Sequence, residues 1–450
     1  MNRAPLRPAR RGSPRGGSSA PRRLGRPLRR ALPLGRALLL GLALAAPAAQ
    51  TAGPVDPDEA ATAHSVLVLL PLPPKAAASA GGEHGRPPPG HAERHRLALQ
   101  LARSHGLTLG EAWPVPAAAV DCYVMRLGPE QSPAAVAEAL SRQPGVAWAQ
   151  PMHLYRARGP IPPGPGAAPA ADPLEPLQPA AREWRLAELH RLATGRDVRV
   201  AVIDSAVDAR HPDLQTQIAT REDFIEPAAR AGETHGTAVA GLIAARAGNG
   251  QGIVGIAPQA RLMALRACRE GRAGATGCTT LALAKALQYA LEQTADVINL
   301  SLAGPPDRLL AQLLDAARQH GAAVVAPRDA TRPDGGFPAS HPGVLSVVEE
   351  GTPPAGAWSA PGRDLPTTVP GGGWGLVSGP SYAAAQVSGL VALLRERQPR
   401  GDAPFEPVPV AGANGRLDAC ATLGRAAGVC PCDCDGAQVP VAAPAPPLRH

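Results

Sequence analysis

The chain has 450 residues, of which 44% are hydrophobic and 3% are aromatic. It is long enough for two or three domains, with a core built mainly from Ala, Leu and Val. The formal charge of +8 would suit a nucleic-acid partner, but eleven Arg and no acidic residue fall within residues 1–48, which leaves about −3 for the remainder. The basic character therefore belongs to one end, and we expect no binding of nucleic acid by the folded part.

Residues 1–49 are predicted to be a leader that directs export. A basic stretch precedes an apolar run at 37–46, and small residues follow that run, as they do in secretory signals. The run is only about half of the roughly 20 apolar residues that a membrane-spanning helix needs. We therefore expect a secreted or periplasmic protein without a stable membrane span, the alternative being an uncleaved anchor.

Residues 64–155 predict a small α+β domain, because apolar and β-branched stretches alternate there with helical patterns. We expect strands at 64–70, 120–126 and 146–150, and helices at 92–103 and 133–142. Residues 156–180 are predicted to be a linker. Pro and Gly dominate its first part, and such sequence is well suited to proteolytic cleavage.

Residues 181–421 predict an α/β domain with a doubly wound, mostly parallel sheet and helices on both faces. Strands that alternate with helices of 10 or more residues form such sheets. The expected strands lie at 198–203, 262–266, 297–300, 322–325 and 344–348, and the expected helices at 236–245, 279–293, 308–320 and 381–398. Functional residues of these sheets lie at the carboxyl ends of strands or at helix starts.

The seven cysteines fit an exported protein, since an oxidising compartment lets them pair. Cys268 and Cys278 are ten residues apart around a Gly-rich turn, a spacing that a disulfide can close. A second group lies in and just before the Pro-rich tail of residues 422–450, namely Cys420, Cys430, Cys432 and Cys434. Two disulfides are favoured for this group, with metal binding as the alternative. Cys122 would be left over.

Three polar residues occupy positions where functional residues lie in such a sheet. Asp204 ends the first strand of the α/β domain, and His235 opens a helix whose neighbours are small enough to let an imidazole approach the strand. Ser381 opens the last long helix, where the free N–H groups and the dipole favour a developing oxyanion. Taken singly, these residues could equally be a turn cap, a surface histidine and a helix cap.

Together they follow one another in the order Asp, His, Ser, separated by 31 and 146 residues, and this arrangement resembles the subtilisin-like serine protease family (subtilases). The surrounding motifs match as well: Val-Ala-Val-Ile-Asp204, His235-Gly-Thr-x-Val-Ala-Gly, and Gly-x-Ser381 followed by an Ala-rich helix. Segments 252–258 and 297–302 are also similar to family sequence. The resemblance covers residues 184–421.

The resemblance implies a serine endopeptidase. Ser381 would attack the scissile carbonyl, His235 would carry the proton, and Asp204 would orient and stabilise the imidazole. The family's substrate-binding strand end corresponds to Ser301, Leu302, Ala303 and Gly304. Residues 274–277 would form the opposing edge, so that a polypeptide substrate adds as a strand between the two.

The segment 64–155 is similar to the family's inhibitory pro-domain. The resemblance therefore implies a zymogen in which the chain's own pro-domain is an intramolecular inhibitor.

One stretch departs from the family. Where subtilases carry an Asn that donates to the oxyanion, this chain has Asp329, preceded by Pro327 and Arg328 in place of small residues. A carboxylate cannot donate a hydrogen bond, and losing such a donor costs on the order of 10²–10³ in rate. Either Asp329 works as a protonated carboxyl, or other groups form the oxyanion hole, or activity is low. The neighbouring replacements predict a reshaped substrate pocket.

The favoured interpretation is a secreted endopeptidase. The alternative is a relative with little or no activity that binds peptides or a partner through the same cleft. We expect no cofactor and assign no metal ligand. Structural calcium occurs in some relatives, but no dense acidic loop indicates a site for it here.

Overall fold

The computed structural model describes residues 62–73, 90–157, 172–229, 231–271, 276–399, 407–411 and 415–428. The predicted leader and nearly all of the predicted tail, including Cys430, Cys432 and Cys434, lie outside these residues. Within the described part of the chain, no helix combines the length and the apolar character needed to cross a bilayer.

The amino-terminal domain is a four-stranded antiparallel sheet with the order β2-β3-β1-β4. Its strands are β1 (Ser65–Pro71), β2 (Thr108–Val115), β3 (Val120–Arg126) and β4 (Trp148–Pro151), and its helices are α1 (His91–Ser104) and α2 (Pro133–Ser141). Side chains of β1 alternate between the faces: Val66 and Val68 pack with α1, whereas Leu67 packs with helices of the second domain. Burial on both faces explains why β1 is continuously apolar.

The second domain contains seven parallel strands in the order β14-β13-β12-β11-β6-β8-β7. These are β6 (Arg199–Asp204), β7 (Ile218–Asp223), β8 (Arg261–Arg266), β11 (Val297–Asn299), β12 (Ala323–Pro327), β13 (Val344–Glu349) and β14 (Ala357–Ala360). Strand β5 (Leu154–Ala157), which directly follows the amino-terminal domain, forms a separate sheet with β9 (Cys268–Glu270) and β10 (Thr276–Thr279) of the second domain. Strands β15 (Leu365–Val369) and β16 (Gly373–Val377) form a hairpin.

The helices of this domain are α3 (Pro179–Glu183), α4 (Leu186–Leu192), α5 (Thr234–Ala244), α6 (Thr280–Glu292), α7 (Arg308–Gln319), α8 (Pro380–Arg397) and α9 (Ala419–Ala427). Helices α5 and α8 share one apolar cluster with Val200 and Val202, and α6 and α7 share another with Ala201 and Ile203. Consecutive residues of β6 thus pack on opposite faces of the sheet. The predicted doubly wound α/β architecture is confirmed.

Several strands were missed in the sequence. Strand β7 is polar and mostly exposed because it lies at the edge of the main sheet. Strand β2, also an edge strand, contains Gly110, Glu111 and Pro114, which interrupt an apolar alternation.

The linker predicted for residues 156–180 is shorter in the structure. Residues up to Ala157 belong to β5. At the other end, Asp172 is buried and accepts hydrogen bonds from the backbone N–H groups of residues 248–250. Gln178 bonds to both the N–H and the C=O of Val254. Two buried polar side chains therefore attach the supposed linker to the domain that follows it.

Candidate active site

The carboxyl end of β6 and the start of α5 bring Asp204 and His235 together. Nδ1 of His235 lies 2.8 Å from Oδ1 of Asp204, and the two side chains are only 4% and 2% exposed. The close approach depends on Gly236, because a Cβ at this position would lie 2.2 Å from the carbonyl oxygen of Ser205. Asp204 also accepts from the N–H of Ser205 at 2.6 Å.

Opposing effects act on the pKa of His235. Burial alone would lower it, but the charge and the hydrogen bond of Asp204, with a further contribution from Glu270, raise the pKa above its usual value of 6.5. The backbone N–H of His235 donates to the Glu270 carboxylate. The other ring nitrogen, Nε2, is buried and has no hydrogen-bond partner among the described residues. A buried, unpaired ring nitrogen is rare in a purely structural histidine.

Ser381 is the second residue of α8 and is 1% exposed. Its hydroxyl donates to the carbonyl oxygen of Ser301 at 3.0 Å, and the Ser301 hydroxyl donates to the carbonyl oxygen of Ser381 at 3.0 Å. The next residue, Tyr382, has its ring centroid 5.3 Å from that of His235. The start of α8 therefore lies beside the imidazole. The Ser381 hydroxyl is directed toward Ser301 in this structure, and its role as the nucleophile stays a prediction.

A buried polar chain holds the start of α8 against β11. Ser388 donates to Oδ1 of Asn299 at 2.9 Å, and Nδ2 of Asn299 lies 2.9 Å from the hydroxyl of Ser301. Sequence reasoning missed Asn299 and Ser388 as positioning residues. A polar residue ending an otherwise apolar strand was the signal that could have identified Asn299.

The side chain of Asp329, two residues beyond β12, is engaged within its own loop. Oδ1 accepts hydrogen bonds from the backbone N–H of Thr331 at 2.9 Å and from its hydroxyl at 2.6 Å, and the N–H of Asp329 donates to the carbonyl oxygen of Gly335. The predicted place of Asp329 at the oxyanion stays a prediction. A backbone donor is also at hand, because the N–H of Ser381, at the second position of α8, has no acceptor within its helix.

The loop that follows β12 comes close to the strand end formed by residues 301–304 at Gly336. A Cβ built on Gly336 would lie 3.0 Å from Cδ of Arg332, 3.3 Å from Cβ of Asp329 and 3.6 Å from Cβ of Ala303. Two charged side chains thus approach the space beside this strand end. The expectation that replacements near residue 328 reshape a substrate pocket stays a prediction.

Strand β5, which precedes the Pro/Gly-rich segment, lies beside the strand end formed by residues 301–304. Arg156 exchanges two backbone hydrogen bonds of 3.0 Å with Ala303. On its other edge β5 pairs antiparallel with β10. Two of the residues predicted to bind substrate, Ala303 and Gly304, therefore contact the chain's own strand, and Ser301 contacts Ser381.

Comparisons with known proteins identify the family. The profile of the subtilase family matches residues 195–328. Subtilisin from Bacillus pumilus is 32% identical over 225 residues, which is 46% of this chain and 79% of that protein. The chain belongs to the subtilase family. An intracellular serine protease of Paenibacillus polymyxa is 33% identical over 45% of this chain and 68% of its own length.

Other relatives are matched over less than two thirds of their own length. Subtilisin E from Bacillus subtilis is 33% identical over 46% of this chain, and the match spans 57% of subtilisin E. The crystal structure of fervidolysin from Fervidobacterium pennivorans, a keratinolytic enzyme related to subtilisin, has a TM-score of 0.59 at 22% identity and covers 80% of this chain and 60% of that one. This last likeness shows the fold.

The family profile stops at residue 328, one residue before Asp329. It includes Asp204 and His235, whereas Ser381 lies beyond the matched residues of this subtilase. The stretch that departs from the family in the sequence is therefore also where the profile match ends.

The cysteines of this subtilase are partly described. The sulfur atoms of Cys268 and Cys278 are at bonding distance, as their spacing predicts. Cys122 is buried with a free thiol, and burial raises its pKa.

Among the described residues, no group of three or more His, Cys, Asp or Glu is arranged to hold a metal ion. Structural calcium therefore has no site assigned in this part of the chain.

Proposed function

We propose that this subtilase is a serine endopeptidase that hydrolyses polypeptides through an acyl-enzyme and is made as an exported zymogen. The observation that carries the proposal is the buried pair of Asp204 and His235, whose Nε2 is left without a partner beside the start of α8. An acid, a base and a hydroxyl at a helix start are the parts that acyl transfer needs.

The proposed chemistry uses side chains and water alone. Ser381 Oγ attacks the scissile carbonyl while its proton moves to Nε2 of His235. Asp204 accepts the Nδ1–H and thereby keeps Nε2 free to act as the base. The imidazolium then protonates the leaving amine, and water, activated by the same imidazole, hydrolyses the ester to release the acid and restore Ser381.

The amino-terminal domain is proposed to inhibit the enzyme in the precursor. Strand β5 is hydrogen-bonded to β10 on one edge and to Ala303 on the other, and this pairing supports the proposal that it takes the place of an extended substrate. The domain also packs against the start of α7: Arg308 lies 4.4 Å from the ring centre of Trp148, and Nδ1 of His153 lies 3.0 Å from Asp307. A substrate can bind only after β5 leaves.

Export is proposed from the leader and is consistent with the Cys268–Cys278 pair, because such disulfides persist in oxidising compartments. An exported protein that the cell retains would be periplasmic, and one that the cell releases would be extracellular.

A fluorophosphonate probe tests the proposed activity. After removal of the amino-terminal domain, we expect covalent labelling of the wild-type chain and none of Ser381→Ala. Ser346→Ala is the matched control, because it changes a buried serine on strand β13 and leaves the nucleophile and its polar contacts in place. Absence of labelling in a folded wild-type protein would contradict the endopeptidase and favour a peptide-binding relative.

A further inference from the structure

One carboxylate joins the two segments that carry Asp204 and His235. Glu233 immediately precedes α5 and lies two residues before His235. Its Oε2 accepts the backbone N–H of Ala206 at 2.7 Å, and its own backbone N–H donates to the carbonyl oxygen of Ala206 at 2.6 Å. Because Ala206 lies two residues after Asp204, these two bonds bridge the chain on both sides of the Asp204–His235 hydrogen bond.

The other oxygen of Glu233 bonds to β9. Its Oε1 accepts the N–H of Glu270 at 3.1 Å, and the carboxylate of Glu270 accepts the backbone N–H of His235. One oxygen of Glu233 therefore restrains the segment that follows Asp204, and the other restrains the strand that bonds to the backbone of His235.

Arg266 fixes the carboxylate of Glu233 relative to the main sheet. It is the last residue of β8, it pairs with Asp204 in the register of the sheet, and its side chain is 8% exposed. Its Nε donates to Oε2 of Glu233 at 3.2 Å, while Nη1 donates to both carboxylate oxygens of Asp223 at 2.9 Å. A guanidinium is a rigid, planar set of donors, so bonds to two carboxylates leave it little freedom to move.

We infer that Glu233 is a positioning residue, anchored by Arg266, that holds Asp204 and His235 at hydrogen-bonding distance. Its effect on catalysis rests on the proposed endopeptidase. A neutral bond from the N–H of Gly236 to the Ser205 hydroxyl, 3.0 Å long, also joins the two segments. Hydrogen bonds to an ionised acceptor are roughly twice as strong as neutral ones, and Glu233 makes several. Glu233 therefore supplies the larger restraint.

Glu233→Gln disturbs this restraint with little change in volume. The amide oxygen can accept on only one side, and the N–H₂ group then meets a donor on the other side. A misplacement of about 1 Å in a catalytic group can cost up to about 10²-fold in rate. We expect kcat to fall by about tenfold to a hundredfold, with KM nearly unchanged because Glu233 holds the base and not the substrate.

The tautomer of His235 is the direct readout, and it does not need an active enzyme. NMR chemical shifts of the two ring nitrogens, recorded on the full chain with the imidazole neutral, distinguish a fixed Nδ1–H form from a mixture. We expect the fixed form in the wild type, because Asp204 accepts that hydrogen, and a mixture in Glu233→Gln. A fixed Nδ1–H form in both proteins, or a mixture in the wild type, would overturn the inference.

This readout separates the inference from the proposed function. A wild type that the fluorophosphonate probe does not label, but whose Nδ1–H form is lost in Glu233→Gln, would overturn the endopeptidase and leave the positioning role standing. A labelled wild type with the same tautomer and the same kcat in Glu233→Gln would do the reverse.

Glu396→Gln is the matched control. Oε2 of Glu396, near the end of α8, also accepts backbone N–H groups, those of Thr194 and Gly195 at 2.7 Å and that of Arg196 at 3.0 Å. The same change there should lower the stability of the protein and leave the tautomer and kcat as in the wild type. If Glu396→Gln lowers kcat as much as Glu233→Gln does, the role of Glu233 is only structural.

Arg266→Lys tests the anchor and serves if Glu233→Gln does not fold. Lysine keeps the positive charge but cannot hold Glu233 and Asp223 in one planar arrangement. We expect a partial mixture of tautomers and a fall in kcat of about threefold to tenfold. Arg199→Lys, at the start of β6, is the control and should change neither. A wild-type tautomer and kcat in Arg266→Lys would overturn the anchoring, and the whole inference if Glu233→Gln does not fold.

Discussion

Nδ1 of His235 donates to Oδ1 of Asp204 across 2.8 Å in an almost fully buried pair. A carboxylate can only accept, so the hydrogen of the neutral ring must lie on Nδ1. Nε2 is then the basic nitrogen. Because the pKa of His235 is raised above 6.5, a larger share of the imidazole is protonated near neutral pH than in an ordinary histidine.

The first prediction concerns the pH dependence of activity. A general base must be neutral in the free enzyme, so kcat/KM should rise with pH through the raised pKa of His235. Glu270→Gln removes one negative charge that raises this pKa and keeps an oxygen that can accept the His235 N–H. We expect the acidic limb of the profile of kcat/KM against pH to move to lower pH.

The control for this shift is Glu350→Gln, which removes a carboxylate that pairs with Arg363 and is 47% exposed. It should leave the profile in place. A profile that does not move in Glu270→Gln would show that the charge of Glu270 does not act on the catalytic base.

The second prediction concerns the stability of the β15–β16 hairpin. The indole N–H of Trp374, at 2.7 Å, donates to Oδ2 of Asp213, which is completely buried. Burial raises the pKa of Asp213, and the bonds from Asn249 and Trp374 act against this. Trp374→Phe leaves a buried carboxylate short of a donor, which costs about 1–3 kcal/mol of unfolding free energy.

Denaturant unfolding at several pH values measures this loss. The loss should be full at neutral pH. Removing the Trp374 donor raises the pKa of Asp213 further in the variant, so the loss should shrink as the pH falls through that pKa. It should disappear below the pKa of Asp213 in the wild type, because the carboxyl is then protonated in both proteins. Leu376→Ala, which truncates a side chain 47% exposed on the same hairpin, should cost little. Equal losses in the two variants would contradict the role given to Trp374.

The third prediction concerns release of the amino-terminal domain. Lys285 of α6 bonds to Glu111 of β2 and lies 4.7 Å from the ring centre of Trp113. Lys285→Met keeps the apolar stem and removes the charge. Since Glu111 is half exposed, we expect a modest effect, an increase of about fivefold to tenfold in the rate at which the domain is released.

The measurement is the lag before activity appears in the full-length chain, which should shorten. Arg142→Met is matched to it, because it removes an exposed pairing with Glu138 within the same domain and should leave the lag unchanged. A longer or equal lag in Lys285→Met would show that this contact does not restrain the domain.

The sequence predicted those parts of the fold and site that depend on local pattern. Asp204 ends an apolar strand, and His235 lies at the start of a helix of small residues. Each feature is visible in a short window of sequence. Asn299, Glu270 and the pair of Asp213 with Trp374 were not predicted, because their partners come from 89, 35 and 161 residues away. Edge strands such as β7 were missed because exposure removes the apolar alternation that identifies a strand.

The last prediction concerns the departure at Asp329. Its Oδ1 accepts from Thr331, and a carboxylate near a developing oxyanion adds repulsion where a donor would stabilise. In Asp329→Asn the amide oxygen can still accept from Thr331, while the new N–H₂ group can donate. If the side chain reaches the oxyanion, kcat should rise by up to about 10²–10³ with little change in KM.

Steady-state kinetics on one peptide substrate gives both constants. Asp334→Asn is the matched control, because it makes the same change on the same loop at an exposed carboxylate that caps the N–H of Gly336. Its kcat should stay near that of the wild type. An unchanged kcat in Asp329→Asn would mean that position 329 does not touch the reacting oxygen and that backbone N–H groups, with Ser381 foremost, stabilise it alone.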